Sequence, residues 1–317
     1  MKLTKLHDIV AHDEGVWSVS WIPGTQSLLS GSVDESVKRW DVTDQGITEV
    51  YKQEGHGLGV ISVAAHGTGQ FAASSALDSL IRVWDVNDQT TNISVIEMAP
   101  TETWAVAFGP QTDAIDLAVS GGTRNTVVLW RIGEGQTENV GELAAPTAAA
   151  ESKAHKREQF VLSAAYSPDG RRLAAGCMDG TVAVWDLASA KLLGKCEGHH
   201  KPVRSLAFTS DSRMLLTACD DCHAHLYDVE NCALIEAFSG HESWVLSVAV
   251  HPGGSAFATG GSDSRVKLWD INTRTCLQTL TSDHTDQVGV GRGQGRLAGG
   301  LGGGRERKEG AKELGRG

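Results

Sequence analysis

The chain has 317 residues, 40% of them apolar and 21% charged, which is enough to bury a core and rules out disorder throughout. A formal charge of −11 argues against a nucleic-acid binder, and no apolar run approaches the ~18 residues of a membrane helix. Six cysteines without a framework of short, even spacings fit reduced thiols in a nuclear or cytosolic protein. Lys2 and Lys5 precede no apolar stretch of the kind a secretory signal needs. Nine Trp stand against three Tyr and six Phe, so one architectural feature must use Trp repeatedly.

In chain order, residues 3–10 come first and read as an outer strand with no earlier partner. At His12 a pattern begins: Ser30 lies 18 residues on, Asp34 22 on and Trp40 28 on. The same offsets from His56 give Ser74, Asp78 and Trp84. In a third repeat Ser120 and Trp130 hold the positions, while Glu102 and Arg124 stand for His and Asp. An Ala-rich stretch, 142–153, then reads as an inserted exposed loop. The fourth repeat keeps Asp179 and Trp185, with Arg157 and Ala175 for His and hydroxyl, and His155 two residues out of register. The fifth has His199, Thr217, Asp221 and Tyr227, and the sixth His241, Thr259, Asp263 and Trp269. A seventh starts at 283–288 and gives way to residues 289–317, where 12 of 29 residues are Gly and none is aromatic. This tail is expected to be disordered, because it lacks the apolar area that offsets chain entropy.

The dipeptides that close these repeats, Trp-Asp or close kin at 40, 84, 130, 185, 227 and 269, are 44, 46, 55, 42 and 42 residues apart. That period with that dipeptide marks an all-β WD-repeat β-propeller. Each repeat reads as four short antiparallel strands; in the fifth they span 203–208, 214–218, 224–228 and 233–238. The recurring residues satisfy one another in a buried blade, with Asp bound to the His ring, the ring to the hydroxyl, and the hydroxyl to the indole. The propeller is expected over 1–288, with six blades readable. Residues 3–10 would be the outer strand of an incomplete last blade, and the ring would stay open.

Two motifs imitate chemistry. Cys219-Asp220-Asp221-Cys222-His223 fits a haem-attachment pattern and has zinc-like spacing, yet the repeat register already fixes Asp221 and Tyr227, so no metal or cofactor is expected. The His/hydroxyl/Asp sets resemble hydrolase triads, but they recur once per blade and end on a Trp, which a catalytic triad does not require. Gly121-Gly122 lacks the strand and helix context of a phosphate loop, and Gly291-Arg292-Gly293 lacks aromatics for stacking on RNA. No enzyme activity is expected.

The register also marks a surface. Residues at the entrance of each inner strand, and the residue before each turn Asp, fall on one rim: Trp17, Leu77, Trp104, Phe160, Met178, Arg204, Asp220, Trp244 and Leu246. Three Trp, a Phe, a Met and an Arg together have the composition of an interface centre. The alternative is that individual Trp side chains pack between neighbouring blades.

Several stretches carry a closer resemblance: GHGLGVISV (55–63), AASSALDSLIRVWD (72–85), QFVLSAAYSPDGRRLAAG (159–176), PVRSLAFTSDSRMLLTACDD (202–221), and SGHESWVLSVA, TRTC and DHTDQV within 239–288. With them the chain resembles the Ski-complex WD-repeat subunit family, whose members also serve in the RNA polymerase II-associated Paf complex. The resemblance implies a seven-bladed ring and a non-enzymatic scaffold in nucleus and cytoplasm. It implies as partners the tetratricopeptide and helicase subunits of the Ski complex and the Paf subunits, with no direct nucleic-acid or membrane contact. The family continues past 288 with a Trp and a final strand set, where this chain reads GVGRGQGR. A substrate adaptor of a ubiquitin ligase is the other role such a repeat fits.

Overall fold

A computed structural model of the chain describes residues 3, 5–100, 103–112, 114–122, 125–133, 136–146, 160–281, 287–291 and 298–301. Blade one contains β1 (Val16–Trp21), β2 (Ser27–Ser32), β3 (Val37–Thr43) and β4 (Gly46–Gln53). Blade two is β5 (Val60–Ala65), β6 (Phe71–Ala76), β7 (Leu80–Asp85) and β8 (Asp88–Glu97). Blade three is β9 (Val106–Phe108), β10 (Ile115–Gly121), β11 (Thr126–Gly133) and β12 (Gln136–Ala144). Blade four is β13 (Val161–Tyr166), β14 (Arg172–Cys177), β15 (Val182–Asp186) and β16 (Lys191–Cys196). Blade five is β17 (Val203–Phe208), β18 (Met214–Cys219), β19 (His223–Asp228) and β20 (Ala233–Ser239). Blade six is β21 (Val245–Val250), β22 (Ala256–Gly261), β23 (Val266–Asp270) and β24 (Thr275–Leu280). Each is a four-stranded antiparallel meander paired in sequence order, and the architecture is a six-bladed β-propeller.

The tight turn between the second and third strands explains why Asp recurs. Residues Glu35, Ser79, Gly180, Cys222 and Ser264 follow the repeat Asp, and all have positive φ, between 60° and 93°. The preceding Asp closes the turn by accepting the amide two residues on: Ser36, Leu80, Thr181, His223 and Arg265, at 2.9 to 3.2 Å. Cys222 is therefore a left-handed turn residue, and its place in the Cys-x-x-Cys-His string follows from turn geometry.

Apolar cores lie between blades. Val60, Val63 and Trp84 of blade two pack with Leu29 and Val37 of blade one, and Val203, Leu206 and Tyr227 of blade five pack with Val182 and Val184 of blade four. The approach is close enough to need glycine: a Cβ on Gly31 would stand 2.7 Å from Val60, and one on Gly176 2.6 Å from Val203. Inner-strand serines then stitch neighbours together. The Ser18, Ser62 and Ser205 hydroxyls accept the amides of Val63, Val106 and Val248 in the next blade, and Ser163 Oγ donates to Val203 O. These serines sit on inner strands, which pack directly against the inner strand of the next blade.

Three expectations need correction. Residues 142–144 are not loop: they finish β12, paired with β11, while residues 147–159 lie outside the described residues. The chain from 289 is not wholly unstructured. β25 (Val288–Gly291) pairs with β26 (Ala298–Leu301), and this two-stranded sheet packs between β21 and β22 on one side and β1 on the other. The gap expected between blades six and one is thus occupied by a rudimentary last blade, with Val288 fully buried. Residues 302–317 lie outside the described residues. Third, the described part of 3–10 forms no strand. The third strand it would need has no counterpart in the two-stranded sheet. Instead the Gln278 side chain of β24 accepts from Leu3 N (2.7 Å) and donates to Leu3 O (3.0 Å). Farther along, His7 Nε2 meets Thr43 O at 2.9 Å, so the segment crosses from blade six to blade one as an outer clasp.

Candidate functional site: a propeller rim set by buried tetrads

In blades one and six the repeat residues form complete chains. His12 Nδ1 meets Asp34 at 2.8 Å and Nε2 meets Ser30 Oγ at 2.7 Å, while Trp40 Nε1 donates to the same Oγ at 2.8 Å. His241, Asp263, Thr259 and Trp269 repeat this at 2.9, 2.8 and 2.9 Å. The proton arrangement follows from donor counting. An indole N–H only donates, so the hydroxyl accepts from it; in a neutral ring whose Nδ1–H donates to the acceptor-only carboxylate, Nε2 is left to accept the hydroxyl proton. Charge agrees with this arrangement. Burial is the largest influence on His12, His56 and His241 and holds all three below the ordinary histidine value. Burial opposes ionisation of Asp34, Asp78 and Asp263 as well, but the hydrogen bonds they accept outweigh it and keep them below the usual carboxylate range. A neutral imidazole tied into a strand cannot swing onto a substrate.

Elsewhere the chain is broken, and sequence spacing did not reveal it. In blade two His56 reaches Asp78 (3.0 Å) and Ser74 (2.8 Å), but Trp84 Nε1 donates to Tyr51 Oη of blade one at 3.1 Å instead of to Ser74. In blade five His199 bonds Asp221 (2.6 Å) and Thr217 (2.7 Å), while the shorter Tyr227 turns its hydroxyl to His225 Nδ1 (2.9 Å). His225 stacks on His199 at 3.7 Å and fills the space an indole would take. Blade three departs furthest. Trp130 pairs with Leu117 as Trp40 pairs with Leu28, so Val119, not Ser120, occupies the hydroxyl position. The β10–β11 turn is one residue longer, which restored the sequence spacing while slipping the register. Ser120 Oγ accepts from Ala105 N, and the buried Trp130 Nε1 finds no hydrogen-bond partner among the described residues. Glu102, Arg124, His155 and Arg157 lie outside the described residues.

His199, Cys219 and Asp221 do come together, with ligand atoms within 4.8 Å. Each is already committed. Both His199 nitrogens are bonded, Asp221 also caps its turn, and Cys219 donates to Lys201 O at 3.2 Å. Burial pushes the Cys219 thiol far above its ordinary value, which keeps it protonated and a poor ligand. The set does not fit a metal.

The same scaffolding shapes the rim. Each of blades one, two, four, five and six has a bulge at the second residue of its inner strand: Trp17, Ile61, Leu162, Arg204 and Leu246. A bulge takes the residue out of the ladder and re-aims its side chain. Trp104 holds the matching place before β9, since Val106, two residues on, donates its amide to the Ser62 stitch. Two groups form. Trp104 meets Phe160 edge-on at 5.5 Å, and Met178 N donates to Phe160 O, which brings Met178 alongside. Arg204 makes a fork to Asp220 (Nε–Oδ1 3.0 Å, Nη2–Oδ2 2.7 Å) and lies over the Trp244 ring at 5.9 Å. Leu246 is half-buried.

Trp17, Leu77 and Trp244 are 50, 48 and 46% exposed, too open for side chains that serve only to pack blades together. Sequence reading missed Leu58, 49% exposed on the turn whose Gly59 O accepts from Leu77 N. It sits two residues after His56, outside the offsets used to find the rim. The bulge rule also adds Ile61 and Leu162, both buried.

The WD domain, G-beta repeat family matches residues 3–41, 47–85, 149–186, 190–228 and 232–270, passing over the blade whose register slips. WD repeat-containing protein VIP3 of Arabidopsis thaliana is 43% identical over 209 residues, 64% of either chain. WD repeat-containing protein SL1-17 of Schistosoma mansoni is 33% identical over 209 residues, 64% of this chain and 63% of its own. The human U5 small nuclear ribonucleoprotein 40 kDa protein shares 44% over 45 residues, 14% of this chain and 13% of its own. The chain thus spans just under two thirds of the length of the first two relatives. Five matched repeats covering more than half of the chain, on a propeller whose blades carry their signature residues, show that it belongs to the WD-repeat family of interaction scaffolds.

Proposed function

We propose that this chain is a non-enzymatic scaffold that serves as the WD-repeat subunit of the Ski complex, in exosome-coupled 3′–5′ mRNA decay, and of the Paf complex, in transcription elongation and histone modification. The observation that carries the scaffold reading is the rim itself: Trp17 and Trp244 half exposed, Trp104 edge-on to Phe160, and the Arg204–Asp220 fork beside Trp244. Aromatic side chains with an Arg among them are the usual anchors of protein interfaces. The assignment to these two complexes rests on the stretches quoted above, which resemble that family beyond the repeat signature. The partners are then its tetratricopeptide and helicase subunits and the Paf subunits, and the protein works in nucleus and cytoplasm without touching nucleic acid or membrane itself.

Capture by the immobilised tetratricopeptide subunit tests this. Trp104→Ala and Trp244→Ala should each weaken binding by ≥ ~2 kcal/mol, roughly thirtyfold, with unchanged thermal melts. Wild-type affinity in both variants would move the interface elsewhere, and capture of a ubiquitin-ligase scaffold alone would favour the adaptor role.

A further inference from the structure

Cys196 and Cys232 belong to neither the tetrads nor the rim, yet they face each other across a blade seam. Cys196 ends β16, the outer strand of blade four, and is buried. Cys232 lies in the β19–β20 turn of blade five at φ 51°, half-buried, with its sulfur packed on the core that contains Cys196. Gly194 and Cys196 lie on the same face of β16, and the Cys232 sulfur, which also approaches Val229 O at 3.9 Å, is the Cys196 thiol's neighbour across the seam. Gly194 shows that the fit is built. A Cβ there would stand 2.8 Å from Cys232 Sγ, so a glycine inside a strand, where it weakens pairing, leaves the space the sulfur fills. The other four cysteines lack this arrangement. Cys177 and Cys219 are buried with protonated thiols, Cys222 is spent on a turn, and exposed Cys276 faces Thr279 and Gln278 O.

We propose that Cys196 and Cys232 form a peroxide-responsive pair that closes into a disulfide locking blade four to blade five. The groups facing Cys232 divide the labour. The neighbouring Cys196 thiol and Arg172 hold Cys232 below its ordinary value despite burial and the Asp228 carboxylate. Cys196 is held far above its ordinary value by Cys232 and by burial. Peroxide reaches the half-buried Cys232 rather than Cys196, which is 2% exposed, so Cys232 is the nucleophile and Cys196 the resolving thiol. The Cys232 thiolate attacks one oxygen of hydrogen peroxide. The O–O bond breaks, leaving Cys232 sulfenic acid and a hydroxide that takes a proton to become water. The Cys196 sulfur then attacks the Cys232 sulfur, the S–O bond breaks, and the departing hydroxide leaves with the Cys196 proton as a second water. Two thiols lose two electrons in all, and one peroxide becomes two waters.

The full chain, treated with a small excess of hydrogen peroxide, alkylated and mapped by mass spectrometry, tests the proposal. The expected product is one cross-linked peptide pair joining 196 to 232, reversed by dithiothreitol, with a higher melting temperature before reduction. In Cys196→Ser the resolving thiol is gone, and dimedone should trap the sulfenic acid at Cys232. Two results would overturn the proposal: both thiols still alkylated at a peroxide dose that oxidises Cys276, or wild-type Cys232 trapped by dimedone with no cross-link formed.

Discussion

Replacing Asp263 with Ala should destabilise blade six and leave binding chemistry intact. Asp263 takes three donors at once: His241 Nδ1–H at 2.9 Å, Glu242 N at 3.0 Å and Arg265 N at 3.2 Å. Its side chain is 5% exposed and that of His241 2%, so the ring has no route to solvent once its acceptor is lost. A buried donor left unsatisfied costs about 1–3 kcal/mol, and loosening the turn that Arg265 N closes adds to it, giving ~3 kcal/mol. At a few degrees per kcal/mol for a chain of this size, the melting temperature should fall by roughly 5–10 °C. Asp8, whose side chain is 62% exposed and pairs only on the surface with Lys5, supplies the control. Asp8→Ala should stay within about 0.5 kcal/mol of wild type. Differential scanning calorimetry measures both. An Asp263→Ala protein that melts normally but loses a partner would refute the tetrad argument and make Asp263 a contact residue.

Two further outcomes follow from the same bonds. A double-mutant cycle on Trp84→Phe and Tyr51→Phe should show coupling of about 1 kcal/mol, whereas Trp84→Phe with Ser74→Ala should be additive; coupling to Ser74 would restore the complete chain in blade two. Stability should also fall on acidification. His12, His56, His225 and His241 are all held below the unfolded value of 6.5, His225 to about 4, chiefly by burial. The unfolded chain then binds more protons, so the stabilisation is complete above 6.5 and is lost as pH drops below it, with ~3 kcal/mol from His225 alone by pH 4. Asp34, Asp78 and Asp263 add a further loss below 3.8. Urea melts that give one free energy from pH 7 to 4.5 would contradict this.

What the sequence made legible was whatever repeats at fixed spacing. The strands of blade five fall at 203–208, 214–219, 223–228 and 233–239, within a residue of their expected limits, because turn Asp residues and alternating apolar positions bound them. Spacing alone could not see register. Ser120 and Trp130 stand ten apart, like Ser30 and Trp40, yet a longer turn in blade three moves Ser120 out of place and puts Val119 there. Nor could spacing show a competing partner, such as Tyr51 for Trp84, since Tyr51 belongs to the previous blade. The end of the chain was misread for a different reason. Composition gives the entropy cost of a glycine-rich segment, but not whether a slot between blades six and one exists to offset it. Only four residues in each of β25 and β26 are needed to occupy that slot.

The rim and the tetrads are two ends of one construction, and blade five shows how. Asp221 fixes His199 and closes the turn through His223 N, which settles the backbone on either side of it. Asp220, one residue earlier, is held by its amide to Pro202 O and sits 4% exposed, so its carboxylate has a single direction in which to point. Arg204, released from the ladder by the bulge between Val203 and Ser205, meets that carboxylate with two nitrogens and is thereby steered over Trp244 of the next blade. A flexible arginine is thus pre-positioned by a buried acid, and an exposed indole gains a fixed neighbour before any partner arrives. Were a partner to dock here, as proposed, less ordering entropy would remain to be spent than at a free surface arginine. Blades whose bulge carries Ile61 or Leu162 have no such fork and bury the side chain instead, which is why the polar centre of the rim falls on blades five and six.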